Sequence, residues 1–260
     1  MFGFQGQFRD DVRSAIRKSA TVVGPVTDDD LAGLPVPVSR YLHYAGVVGK
    51  PGIHNMHLVF DGQMREKGKP WFPFRSEQYN FLDPPARFFF MKAKFKGLPT
   101  FGYHSYEDQH ARMQVKVAGI IPVVDQKAPQ LFPTETVTFL NDLCLFAPAA
   151  LTDKRIEWEH IDARSAKATF FNKSARISAI LSFKETGELI NFVSNDRYEV
   201  NEMRTYPFST PVGDFRDLSG YRLPGYGEAV WHYPDGAFTY GRFTVRSLVY
   251  NVTELQPDSL

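Results

Sequence analysis

The sequence predicts a mainly β (α+β) fold, a curved antiparallel sheet or incomplete β-barrel of about ten to twelve strands. N-terminal helices and one inserted helix would cover it. Three observations carry this expectation. From residue 53 onward, apolar and polar residues alternate with period two over successive short segments. Turn signals recur at short intervals without the helical spacing of βαβ units. Aromatics are in excess, with 23 Phe, 12 Tyr and 3 Trp among 260 residues, and aromatic side chains favour half-buried strands. Such an excess fits a thick β core or an apolar ligand cavity.

Residues 1–50 are expected to form a helical segment packed on a β domain spanning 51–255. Phe8, Val12, Ala15, Ile16 and Ser19 fall at helical spacing beside Arg9, Arg13, Arg17 and Lys18. They suit a helix docked on the domain, or one lying on a membrane surface. Asp28, Asp29 and Asp30 precede Leu31, and one of them can cap a short turn. A second helix follows Pro37, with Val38, Tyr41, Leu42 and Ala45 on one face and Gly46 as its stop.

Met56, Leu58, Phe60 and Met64 then alternate with Asn55, His57, Val59 and Asp61 as a strand. Trp71 to Phe81 is the next, where Pro73 implies an edge position or a bulge. In the strand from Arg87 to Lys96, Phe89, Met91, Ala93 and Phe95 face one way. Phe88, Phe90, Lys92, Lys94 and Lys96 face the other, a pattern read as an edge strand guarded by lysines. Phe101–Tyr106 and Arg112–Val117 form a hairpin. Pro133 opens the inserted helix, near residues 133–149, with Leu140, Leu143, Cys144 and Ala147 as its apolar stripe. Strands resume at Ile156–Ile161, Ala166–Phe171, Arg176–Phe183 and Leu189–Tyr198. Pro234-Asp235-Gly236 joins Tyr226–Tyr233 to Phe238–Asn251 in a closing hairpin.

Four segments carry a resemblance. They are Leu34-Pro35-x-Pro37-Val38-x-Arg40-Tyr41-Leu42 running to Gly49, and Trp71-x-Pro73-Phe74-x-x-Glu77-Gln78-Tyr79. The others are Gly119-Ile120-Ile121-Pro122-Val123-Val124-Asp125 and Gly227-Glu228-Ala229-Val230-Trp231-His232. Together they resemble a bacterial family of unknown function over about residues 34–252, which implies no catalytic residues. Phe183-x-x-x-Gly187-x-Leu189-x-x-Phe192 ahead of Arg197-Tyr198 is similar to a hairpin of LolA-like lipoprotein carriers. That resemblance implies an incomplete barrel holding an acyl chain beneath helices. The chain differs in having neither an export signal nor a lipid-attachment cysteine near its start.

Several function classes find no support in the residues. A net charge of +1 offers nothing to attract nucleic acid. No phosphate-binding glycine motif and no nucleotide cofactor signature is present. The single cysteine, Cys144, lies in an apolar run and reads as a buried, inert thiol. His54 and His57 point to opposite faces of a strand, so no shared metal is expected. Ser105 likewise points away from its neighbour His104, and there is no Gly-x-Ser-x-Gly elbow. Glu157 and Glu159 read as a solvated strand face, Glu185 and Glu188 as a turn. No secretory signal or membrane span is evident, so a cytoplasmic location is expected.

The expectation is therefore a non-enzymatic binding or carrier domain for a small apolar or lipid-like ligand. Its lining candidates are Met56, Phe60, Trp71, Phe74, Phe89, Met91, Tyr103, Met113, Trp158 and Trp231. Tyr79, Lys116, Arg197 and Glu228 could orient the ligand. An enzyme using Glu228 or His104 as acid or base is one alternative. A module that contacts membranes or proteins through the N-terminal helix is another.

Overall fold

The computed structural model describes residues 3–19, 24–119, 121–199, 202–257 and 260. Parts of the N-terminal segment (1–2 and 20–23) and Ile120 of the third motif lie outside the described residues.

Helix α1 (Phe4–Lys18) buries Phe4, Phe8, Val12 and Ala15, one residue per turn on one face. Helix α2 (Val36–Ala45) starts with Pro37 in its first turn and stops at Gly46, whose φ of 72° is the left-handed conformation that ends helices. Six strands follow as a meander: β1 (Asn55–Met64), β2 (Phe72–Leu82), β3 (Pro85–Phe95), β4 (Leu98–Glu107), β5 (His110–Val117) and β6 (Ile121–Gln126). Helix α3 (Leu131–Phe146) leads to β7 (Ile156–Asp162), β8 (Ser165–Asn172), β9 (Ala175–Phe183) and β10 (Leu189–Ser194). A two-stranded pair, β11 (Tyr198–Glu199) and β12 (Arg204–Thr205), precedes β13 (Phe208–Leu218), β14 (Tyr221–Tyr233) and β15 (Gly236–Tyr250).

Thirteen of these strands form one antiparallel sheet, in the order β6-β5-β4-β3-β2-β1-β15-β14-β13-β10-β9-β8-β7. The chain thus builds one half outward to β6, crosses to the far edge at β7, and returns inward until β15 pairs with β1. The crossing element is α3. It touches β5 near one edge and β9 and β10 near the other, so the open sheet curves around it. Helix α2 packs on the same inner side, where Tyr41 donates a 2.8 Å hydrogen bond to the carbonyl of Cys144. Helix α1 lies on the outer side, against β2, β3 and β4.

This arrangement explains the Phe-rich strand. In β3, Phe88 and Phe90 pack beneath α1, while Phe89 and Met91 join a cluster with Phe74. Sandwiched between two layers, β3 needs apolar residues on both faces. It is an interior strand, contrary to the lysine-guarded edge expected from sequence. Its lysines occupy the end beyond α1, where Lys92 sits 5.9 Å from the Phe90 ring and Lys96 5.5 Å from the Phe95 ring. Strand β2 is interior too. Pro73 is accommodated because pairing with β3 begins only at Phe74, so its missing N–H removes no bond on that side. The strand number exceeds the expected one because β6, the short pair β11 and β12, and β13 are added, the last carrying Pro211 and Gly213 and lacking a clean alternation.

The apolar face of α1 is occupied by the sheet, leaving Arg13, Arg17 and Lys18 outward. No helix among the described residues is long and apolar enough to cross a membrane.

Candidate functional site

The inner face of the sheet holds a cavity of about 130 Å³ between α3, β1–β4 and β13–β15. Its position follows from an unusual covering helix. One side of α3 carries Val137, Leu140 and Cys144 into the main core. The other turns Glu135, Thr138, Asn141, Asp142 and Leu145 toward the cavity, three and four residues apart. Polar residues in a covering helix usually meet solvent; here they face the sheet.

The polar side chains engage strand residues in a closed network. Asp142 Oδ2 accepts from Gln78 Nε2 at 2.8 Å, Asn80 Nδ2 at 3.0 Å and Arg87 Nε at 2.8 Å. Arg87 also donates to Gln78 Oε1 at 2.8 Å and to Glu135 Oε2 at 3.3 Å. Burial pushes the Asp142 carboxyl up, against the opposing pull of Arg87 and the amide donors. Asn141 donates to Thr210 at 2.9 Å, while its own Oδ1 is buried without a partner.

Two cavity groups stand outside that network. The His104 imidazole, opposite Phe89 on β4, makes no hydrogen bond to any described residue, and its ring centre is 5.5 Å from that of Phe89. Burial pushes its pKa down to about 4; Glu135 opposes this, whereas Arg87 and Arg197 reinforce it. The imidazole is therefore neutral near pH 7. Arg197 lies past β10, 4.1 Å from the Phe208 ring and 5.1 Å from that of Trp231, and its Nη1 donates to Tyr240 at 3.0 Å.

Most of the remaining exposed wall is apolar, with Thr138, Thr210, Tyr226, Glu228 and Tyr240 as its polar members. Phe60 meets Phe146 and Phe243 edge-on at 5.6 and 5.8 Å, and Val212, Leu145 and Val245 complete it. The cavity is amphiphilic, with Arg87, His104, Glu135 and Arg197 gathered in one part and a phenylalanine-rich pocket in another.

Of the residues expected from sequence, Phe60, Phe89, Arg197 and Glu228 line this cavity. The Glu228 carboxylate is already engaged, by Tyr226 at 2.7 Å, Thr239 at 3.3 Å and Arg242 at 3.3 Å. Phe74 and Met91 pack behind Phe89, and Trp231 packs behind Arg197 against Phe208. Met56 belongs to the main core, and Met113 sits across from His104 on β5. Trp158 is distant on β7, donating to the Leu151 carbonyl at 3.2 Å. Trp71 lies between the guanidinium groups of Arg65 and Arg242, at 4.4 and 4.5 Å. Tyr79, Tyr103 and Lys116 lie on the outer face, where α1 covers them. Alternation assigns residues to a shared face; it does not say which face is hollow, and the expected set mixed the two. Gln78, Arg87, Glu135, Asn141 and Asp142 went unrecognised.

Several polar groups outside the cavity have local partners, although His57 Nδ1, Ser76 Oγ and Gln114 Oε1 are buried without one. His57 Nε2 lies 3.0 Å from Glu77 Oε1 on the outer face, with its ring 4.4 Å from that of Tyr79. Ser209 Oγ is 2.8 Å from His232 Nε2, but no carboxylate among the described residues holds the other ring nitrogen, as a catalytic triad would require. A cleft of about 230 Å³ near the end of α1 is bordered by Lys18, Glu107, Asp108 and Lys173. These pair among themselves, Lys173 with Asp108 and Lys18 with Glu107. Among the described residues, no group of three or more His, Cys, Asp or Glu side chains could hold a metal ion. Cys144 is buried in the main core, and burial pushes its thiol up, which disfavours the thiolate.

Residues 24–243 match a family of unknown function, DUF6544. The chain belongs to that family. The match spans both halves of the sheet and α3, and so includes every residue lining the cavity except Val245. No curated protein matches. Among solved structures, a domain from Vibrio parahaemolyticus assigned to outer membrane lipoprotein sorting aligns with a TM-score of 0.41 and 6% identity. The alignment covers 75% of this chain and 85% of that one. A LolA superfamily protein from Nitrosomonas europaea aligns with a TM-score of 0.40 and 8% identity, over 82% of this chain and 93% of that one. Scores and identities this low make these likenesses observations on which nothing further rests.

Proposed function

We propose that this DUF6544 protein binds a small apolar or lipid-like ligand in the cavity beneath α3, without transforming it. The observation carrying this reading is the wall of Phe60, Phe146, Phe243, Val212 and Val245, set against a few polar groups in one part. Binding sites commonly combine a mostly apolar wall with a small set of orienting polar groups. The volume limits the ligand. About 130 Å³ is close to the ~150 Å³ of an engineered apolar cavity that holds benzene. It is well below the roughly 300–1,000 Å³ of drug-sized sites. A ring or a chain of about six carbons suits it, alone or as the end of something longer.

A second reading has one observation in its favour. The His104 imidazole is neutral at the cavity wall and free to accept a proton, although a pKa of about 4 makes it a weak base. Glu228 lacks that freedom, since its oxygens already have partners.

Titration of 1-hexanol, followed by ligand-observed NMR and calorimetry, tests the binding reading. Thr138→Phe places a ring in the cavity and should weaken hexanol about tenfold or more while the protein stays folded. Equal affinity in wild type and variant would sink the proposal. Mass spectrometry of lipid extracts incubated with the protein separates the two readings, because carriage returns the bound compound unchanged and catalysis does not.

A further inference from the structure

The two arginines of the cavity differ in what they hold. Arg87 is saturated, its guanidinium shared among Asp142, Glu135 and Gln78. Arg197 has no carboxylate within ion-pair distance among the described residues. Its protein hydrogen bond is the one from Nη1 to the Tyr240 hydroxyl, at 3.0 Å. Its Nε is buried without an acceptor, and its Nη2 donates to no described residue. The planes of Phe208 and Trp231, at 4.1 and 5.1 Å, hold the guanidinium in position. An arginine fixed by rings and spared a counter-ion is prepared for an oxyanion supplied from outside, because its planar fork matches carboxylate and phosphate oxygens.

Building on the proposed binding role, we infer that the ligand is an anionic amphiphile. Its carboxylate or phosphate head sits against Arg197 and its chain enters the pocket of Phe60, Phe146 and Phe243. The charges around that position are consistent with this. In formal charges Arg87, Asp142 and Glu135 sum to minus one and Arg197 offsets it, while Glu228 is paired with Arg242 and His104 is neutral. Glu135 is the acid that opposes an incoming anion. A single 3.3 Å bond from Arg87 holds it, so its removal should favour the head group.

The test compares hexanoate, hexyl phosphate and 1-hexanol, each a six-carbon compound, on the intact 260-residue chain. Hexanoate or hexyl phosphate should bind about tenfold or more tightly than hexanol, the usual scale for a charge-assisted hydrogen bond. Whichever anion wins names the head group. Arg197→Gln should erase the advantage of the anions over hexanol, and Glu135→Gln should tighten the anions relative to wild type. The gain expected for Glu135→Gln keeps the test decisive even where Arg197→Gln fails to fold. Hexanol binding as well as both anions, or anion affinity unchanged in Arg197→Gln and in Glu135→Gln, would overturn the inference while leaving the cavity reading in place. If none of the three binds, the cavity reading falls and this inference with it.

Discussion

The two faces of the sheet are covered by helices of opposite character. On the outer face, α1 lays Phe4, Phe8 and Val12 over Tyr79, Phe81, Phe88, Phe90 and Tyr103. Its charged groups pair within the face: Tyr103 donates to Asp11 at 2.6 Å and His57 Nε2 pairs with Glu77, while His57 Nδ1, buried without a partner, borders neither the inner cavity nor the cleft near α1. On the inner face, α3 sets Glu135, Asn141 and Asp142 opposite Gln78 and Arg87, and the resulting network leaves His104 and Arg197 unmatched beside a cavity. Both faces bury charge, so buried charge alone marks neither as functional. What separates them is the remainder: groups that neutralise one another hold a structure together, and groups left over at a void are available to a ligand.

The largest expected effect breaks the inner network. Asp142→Ala leaves Arg87 buried with a weakened set of partners, and removing one member of a buried pair costs about 3–5 kcal/mol. On the outer face, Phe8→Ala should cost about 3 kcal/mol, since a buried phenylalanine is lost but the ends of α1 can settle into the space. Urea unfolding of both variants measures these values. The informative variant is the triple replacement Arg87→Met, Glu135→Leu and Asp142→Leu. Apolar residues of similar size often equal or exceed a buried ionic network in stability. A folded triple variant within about 1 kcal/mol of wild type would show that the network is not kept for stability. A loss larger than that of Asp142→Ala would make it structural, like the outer pair.

A smaller effect should appear in the pH dependence. The pKa of His104, about 4 in the folded protein, lies below its ordinary value of 6.5. The unfolded chain therefore takes up the proton first as pH falls. Stability from the neutral ring is complete above pH 6.5, is lost between 6.5 and about 4, and falls no further below that. At 1.36 kcal/mol per pKa unit the loss is at most about 3 kcal/mol. His104→Gln should flatten the profile in this window. An unchanged slope would mean that the histidine is solvated, and the inner cavity wetter than its walls imply.

Much of this was legible in the residues, for physical reasons that also explain the gaps. Period two in β1 and β3, Gly46 as a helix stop and Pro234-Asp235-Gly236 as a turn are local signals, and each reads correctly without tertiary context. The excess of phenylalanine announced a sheet buried on both faces. The inner site was harder to see because it depends on where α3 crosses. Glu135 and Asp142, seven residues apart on one helical face, look like a solvent side in the sequence. Only the crossing from β6 to β7 turns that side inward. Arg87 among phenylalanines was a usable clue, because a charge in a doubly buried strand needs a partner. Arg197 and Phe60, named for their chemistry, fall at the cavity, whereas Tyr79 and Tyr103, named on the same grounds, fall on the outer face.

The smallest expected effect lies at the open surface of the sheet. Asp61 on β1 meets Arg75 Nε at 2.9 Å and Arg246 Nη1 at 2.5 Å. Partial burial pushes its carboxyl up, but the hydrogen bonds and charge of the two arginines outweigh this and hold it below the usual range. In geometry the site rivals Arg87 and Asp142, with a carboxylate between strong donors. It differs in exposure: the Asp61 side chain is 41% exposed, against 10% for Asp142. Water screens an exposed pair, so Asp61→Asn should cost less than about 1 kcal/mol. Its coupling to Arg75→Gln in a double-mutant cycle should largely vanish in 1 M salt, where the screening length is about 3 Å. A salt-independent coupling, or a cost matching that of Asp142→Ala, would show that hydrogen-bond geometry rather than burial sets the energies on both faces. The contrast drawn between the inner network and the rest of the molecule would then lose its physical basis.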